Sequence, residues 1–130
     1  METSKFELNI GVTPGYFHKN EGTGEQSVEA LFQEIAEEVY KATNIAVAGI
    51  VTPAKTVYRT EYGCPPTGED TFVITGLLNL TFIANHESPV AVDFEWRKAV
   101  TTIAEKLRKK LNQTTAYLSF SRVWFIYLKD

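Results

Sequence analysis

Apolar positions recur along the chain with two different periods, and the changes of period divide it into strands and helices. Phe6, Leu8, Ile10 and Val12 alternate with Glu7, Asn9 and Gly11, the period of two that a strand shows when one face is buried. Thr13-Pro14-Gly15 ends that strand, because proline fixes φ and glycine allows the turn. A polar stretch from His18 to Gly24 follows, and Thr23 with Gln26 has the spacing of a capping box at a helix start. Val28, Leu31, Phe32, Ile35, Ala36, Val39 and Tyr40 then recur at helical spacing and predict an amphipathic helix closed by Asn44.

The run Ile45 to Val51 is β-rich, and Pro53 marks either a break or an edge position before Lys55 to Tyr58 resumes extended character. Tyr62-Gly63-Cys64-Pro65-Pro66-Thr67-Gly68 is a strong loop signal. Thr71 to Ala84 has a long strand pattern with Gly76 as a candidate bulge or bend, and the two strands flanking the loop form a long hairpin. Ser88-Pro89 or Asp93 can open a second helix, whose stripe is Trp96, Ala99, Val100, Ile103, Ala104, Leu107 and Leu111, ending at Asn112-Gln113. Ala116 to Leu128 alternates again and becomes apolar on both faces near its end. The order β-α-β-β-α-β suits an α+β fold, helices packed on one face of an antiparallel sheet, ferredoxin-like or a close relative.

Composition narrows the class without naming a function. At 130 residues a single domain, 1–130, is expected, and 44% hydrophobic with 22% charged residues excludes wholesale disorder. The lone Cys64 excludes an internal disulfide and a multi-cysteine zinc site. The polar, acidic start from Met1 to Ser4 has no secretory pattern, and no apolar run approaches the ~20 residues of a membrane span, so a cytoplasmic protein without membrane attachment is expected.

Catalytic constellations are mostly absent by type and spacing. His18 and His86 sit in polar loop contexts without a metal-spacing partner, and Cys64 precedes Pro65-Pro66 with no basic helix end beside it. Glu25, Glu29, Glu34, Glu37 and Glu38 decorate the solvent side of the first helix. Gly22-Thr23-Gly24 lacks the lysine of a phosphate loop, and Ser119 and Ser121 lie in a strand without a nucleophile elbow. No cofactor and no metal are expected.

Charge segregation and aromatics remain. Residues 25–41 carry five Glu and one Lys, whereas residues 96–112 carry Arg97, Lys98, Lys106, Arg108, Lys109 and Lys110 against Glu105 alone; helices lying side by side account for most of this pattern. Arg97 and Arg108 share a flank of the second helix about 16 Å apart along its axis, and their planar forks suit phosphate. With a net charge of −3 the chain is poorly suited to a nucleic-acid polymer, whereas a small anion needs only one or two arginines and an aromatic platform, for which Tyr16, Phe17, Tyr58, Tyr62 and Phe82 are candidates. The two-faced Trp124-Phe125 end and Phe94 suit an oligomer interface.

The element order, Tyr16 beyond the first strand, Arg59, Phe82 and the basic second helix with Arg108 resemble the phage proteins that antagonise Thoeris defence. That resemblance implies a non-catalytic, oligomeric sponge in the host cytoplasm that sequesters a small cyclic nucleotide such as a cyclic ADP-ribose isomer. By it, Tyr16 and Phe82 stack a base while Arg59 and Arg108 hold phosphates; where a polar amide is expected at the second helix start, the chain has Val92 or Asp93. The order also resembles small bacterial ferredoxin-like domains of unknown function. Two other classes stand beside the sponge: an oligomeric ferredoxin-like enzyme or degradation factor using His18, His86 or Cys64, and a structural or partner-binding protein whose Trp124-Phe125-Tyr127 strand is an interface.

Overall fold

Phe6, Leu8 and Ile10 are each about 1% exposed while Glu7 between them is open to solvent, so the first strand buries one face as its alternation requires. It is the strand β1, Glu2–Gly11, in a computed structural model that describes residues 2–12, 27–79 and 88–130. Helix α1 (Val28–Thr43), strands β2 (Ile50–Thr56) and β3 (Glu69–Leu77), helix α2 (Pro89–Lys110) and strand β4 (Ala116–Trp124) follow. The strands form one sheet in the order β2-β3-β1-β4, with every neighbouring pair antiparallel. This is the β-α-β-β-α-β, ferredoxin-like arrangement.

Core residues come from one face of the sheet and from the facing stripes of both helices. Trp96 of α2 lies at the centre, its ring 5.8 Å from Phe6 and 6.1 Å from Phe120. Leu31, Phe32, Ile35 and Val39 of α1 complete the layer. Lys106 of α2 reaches Glu38 of α1 at 3.6 Å, one pair from the complementary charges of the two helices. The other sheet face carries Lys5, Glu7, Asn9, Thr75, Tyr117 and Ser119 and no covering layer among the described residues.

Several local boundaries differ from the sequence expectation for identifiable reasons. Thr23 and Gln26 lie outside the described residues; α1 is capped by Ser27, whose side chain accepts the Ala30 N–H at 3.1 Å. Asn44 closes the helix in the left-handed conformation, φ 63°. The stretch 45–49 is not strand, and β2 runs through Pro53 because its outer edge pairs with no other strand among the described residues. Gly76 is not a bulge: the β1–β3 register passes through it unbroken, opposite Phe6. A Cβ there would meet the Ala48 carbonyl oxygen at 2.2 Å and the Phe6 ring at 2.6 Å, so the crossing of 45–49 over β3 requires glycine. Ser88 caps α2 with Pro89 in its first turn, and β4 ends at Trp124, leaving 125–130 outside the sheet.

Candidate functional site

The β2–β3 hairpin brings together a pair that neither strand pattern announces. Thr56 and Glu69 are register partners, and Lys55 pairs with Asp70 through an ion pair of 2.5 Å. Beyond Thr56 the chain leaves the sheet, makes a tight turn at Thr60–Tyr62 and returns through Gly63 and Gly68 at positive φ. Within this excursion Cys64 is buried, and its sulfur accepts the Tyr58 N–H at 3.4 Å. Held there, the Tyr58 hydroxyl donates to Glu69 Oε1 at 2.6 Å. That hydrogen bond, with desolvation and the negative charge of Glu69 adding to it, pushes the Tyr58 phenol up to about 12 from its ordinary value of 10.0. Tyr58 therefore keeps its proton throughout the neutral range.

Glu69 lines a groove of about 530 Å³ on the uncovered sheet face, together with Asn9, Gly11, Thr71, Gln113 and Tyr117. Its floor is polar, and the Thr56 and Thr71 hydroxyls are bonded to each other across it at 2.7 Å. Tyr117 stands at its rim with its side chain mostly exposed. Two larger depressions exist. One of about 710 Å³ lies between α1 and the β2 side, lined by Glu29, Gln33 and Glu37. The other, about 810 Å³, lies at the opposite end of the open sheet face, lined by Lys5, Ile50, Leu77, Val123 and Trp124. Neither is lined by a member of the Tyr58–Glu69 pair, whereas the smaller groove has Glu69 in its wall, so the chemistry points there. Among the described residues no cluster of His, Cys, Asp or Glu could hold a metal ion.

The residues expected to bind a ligand are not gathered in one place. Tyr16, Phe17 and Phe82 lie outside the described residues, as do His18 and His86. Arg59 follows Tyr58 but pairs with Glu61 and lies over the Tyr62 ring at 5.4 Å. Arg97 donates to Asp93 at 3.1 Å and to the fully buried Ser4 hydroxyl at 3.0 Å, and lies 4.9 Å over the Phe120 ring. Arg108 is bound by Glu105 at 2.9 Å, which raises its own pKa and lowers that of Glu105. Arg97 thus sits near the middle of α2 and Arg108 in its last turn, each facing a carboxylate. Glu69 escaped the sequence reading, and Tyr58 entered it only as an aromatic platform. A partial signal existed: Tyr58 precedes and Glu69 follows the Pro/Gly loop, so a hairpin closing on that loop brings the two into the same neighbourhood, although the register partner of Glu69 is Thr56.

Fold and site together define an α+β domain of ferredoxin-like topology with a hydroxyl–carboxylate pair beside a groove sized for a small molecule. The sequence model of the SAM lyase family matches residues 1–129, and the chain belongs to that family. No curated protein matches it in sequence. Among solved structures, a phage SAM lyase in its apo state is similar with a TM-score of 0.54 at 10% identity, covering 93% of this chain and 81% of that one. A phage SAM lyase in complex with S-methyl-5'-thioadenosine gives 0.52 at 9% identity, covering 92% and 80%.

Family membership corrects the sequence reading. The expectation of a non-catalytic sponge for a cyclic nucleotide is overturned, because the matching family is one of enzymes and not the anti-Thoeris family. What persists is coarser: these two solved neighbours are phage proteins, and one of them holds a small adenosine derivative. Among the described residues no helix is long and apolar enough to cross a membrane.

Proposed function

We propose that this protein cleaves S-adenosylmethionine to S-methyl-5'-thioadenosine in the groove lined by Glu69, whose carboxylate Tyr58 holds. The observation that carries the proposal is that hydrogen-bonded pair, the one strongly perturbed phenol among the described residues, placed where its carboxylate faces a small-molecule groove. Family membership supplies the substrate, and the ligand of the solved neighbour supplies the product.

The chemistry of a lyase acting on a sulfonium fits these groups. One route is ring closure: the substrate's own carboxylate oxygen attacks Cγ of the aminobutyryl chain, the Cγ–S bond breaks, and its electron pair stays on sulfur. The sulfonium becomes a neutral thioether and the chain becomes a five-membered lactone; no proton moves and no water enters. The other route, elimination, needs a base to remove a Cβ proton. Tyr58, its phenol pushed up to about 12, is no base at neutral pH, and Glu69, bonded to it through one oxygen, is held in a fixed direction that suits the substrate's ammonium. We therefore assign ring closure. Glu69, fixed by Tyr58, meets the substrate's α-ammonium and holds the chain folded, and catalysis arises from orientation. Intramolecular closures held in an attack geometry gain roughly 7 to 11 kcal/mol over the bimolecular equivalent.

We also propose that the chain works as a homo-oligomer. Trp124, Ile126 and Leu128 are exposed apolar residues beyond the sheet, and the open sheet face adds Ile50, Leu77 and Tyr117. Running the reaction in H₂¹⁸O and in D₂O tests the chemical assignment. Ring closure predicts a first-formed lactone of unlabelled mass beside thioadenosine; early ¹⁸O in the four-carbon product would indicate hydrolysis, and an unsaturated amino acid would indicate elimination.

A further inference from the structure

Gln113 is held more firmly than a residue just past a helix end requires. It follows Leu111 and Asn112, the latter at φ 58°, where α2 turns toward β4. Its backbone N–H donates to the Arg108 carbonyl at 3.0 Å, and its own carbonyl accepts from Arg108 Nη1 at 3.0 Å. Arg108 is braced in turn by two bonds to Glu105, at 3.3 and 2.9 Å. The Gln113 side-chain NH₂ donates to the Leu111 carbonyl at 3.2 Å, which fixes the amide's orientation and turns Oε1 the other way. Oε1 points over Gly11, 2.9 Å from where a Cβ would stand on that residue. Gly11 ends β1, and both residues line the groove that contains Glu69 and Tyr117. A side chain at position 11 would displace the amide, so the absence of one belongs to the same arrangement.

We infer that Gln113 is a specificity-determining residue of this groove: its fixed Oε1 accepts a hydrogen bond from a donor on the nucleoside half of the ligand, the adenine amino group or a ribose hydroxyl. The inference rests on the reading of the groove as a S-adenosylmethionine site. Glu69 on β3 and Gly11 of β1, over which the Gln113 amide lies, are on neighbouring strands about 4.8 Å apart in the pairing direction and are offset along them, Gly11 pairing with Thr71. The carboxylate therefore marks the cationic end of the groove, and Gln113 the other. Tyr117, the register neighbour of Asn9 on the same face, offers an exposed ring beside Gln113 for a purine. Arg108, expected from sequence to hold a phosphate, acts here through Gln113 as a positioning residue.

The test is a double-mutant cycle read by calorimetry with S-methyl-5'-thioadenosine and by steady-state kinetics with S-adenosylmethionine. Gln113→Met keeps the length and removes the acceptor; Gly11→Ala keeps the acceptor and pushes it aside. Each is expected to weaken thioadenosine binding about five- to tenfold and to raise KM equally with kcat within about twofold. Together they are expected to do no more than either alone, because both remove one interaction. The inosine analogue separates the donors: if the amino group is the partner, Gln113→Met no longer weakens binding of the analogue, and if a hydroxyl is, the loss remains. Unchanged thioadenosine affinity, additive losses, or a loss confined to S-adenosylmethionine would overturn the assignment. A wild-type protein that binds thioadenosine but leaves S-adenosylmethionine intact would remove the lyase reading instead and leave the binding cycle interpretable.

Discussion

At Tyr58 two elementary facts meet: a phenol that donates to a carboxylate resists losing its proton, and a carboxylate so engaged has one oxygen fixed in direction. Replacing Tyr58 by Phe removes the donor while keeping the ring. Because the side chain is at the surface, the melting midpoint should stay within about two degrees while kcat falls about a hundredfold or more, the scale of lost preorganisation. The phenol also titrates observably. Absorbance near 295 nm should show one tyrosine ionising near pH 12 in the wild type and moving down toward 10 in Glu69→Gln. The sign follows from the raised value: the interaction is complete below the ordinary phenol pKa and disappears as pH rises through about 12. A tyrosine unaffected by Glu69→Gln would mean that the pair does not exist in solution. From sequence, Tyr58 was legible only as an aromatic and Glu69 not at all, since neither follows a spacing rule. Their meeting depends on the Thr56–Glu69 register and on the burial of Cys64 inside the loop.

Elements were the most legible level, because period and capping are local. The stripe from Val28 to Val39 is the buried face of α1, and that from Trp96 to Leu107 is the buried face of α2. What sequence missed at this level depended on neighbours. Pro53 tolerates a strand because β2 is an edge, and Gly76 reflects a crossing backbone rather than a bulge. Gly76→Ala should therefore cost about 1 to 3 kcal/mol in urea unfolding, the range for forced overpacking, because the Ala48 carbonyl cannot rotate away as a side chain would. Ser27→Ala and Ser88→Ala, each removing a cap bond of 3.1 Å, should cost about 1 kcal/mol apiece and add when combined, since they lie on different helices. A Gly76→Ala variant as stable as wild type would contradict the packing of 45–49 over β3.

For the whole molecule the order β2-β3-β1-β4 puts both helices on one face and leaves the other open, so the groove is a property of the sheet and not of any motif. This explains why composition and charge led to a ligand-binding surface yet to the wrong class. The Arg97 and Arg108 forks looked available along the helix wheel, but Asp93 and Glu105 occupy them, whereas the Tyr58–Glu69 pair arises from the hairpin, which a helix wheel cannot display. At this scale the exposed Trp124 predicts association: light scattering should give a mass above the 14.6 kDa of one chain, and Trp124→Glu should lower it. A wild type at one chain's mass would remove the oligomer from the proposal. The most direct test of the central claim is to incubate purified wild type and Tyr58→Phe with S-adenosylmethionine and follow both products by mass spectrometry. Thioadenosine and a four-carbon lactone should appear in equal amounts with wild type and nearly vanish with Tyr58→Phe; intact S-adenosylmethionine after prolonged incubation with wild type, or equal turnover by the variant, would contradict it.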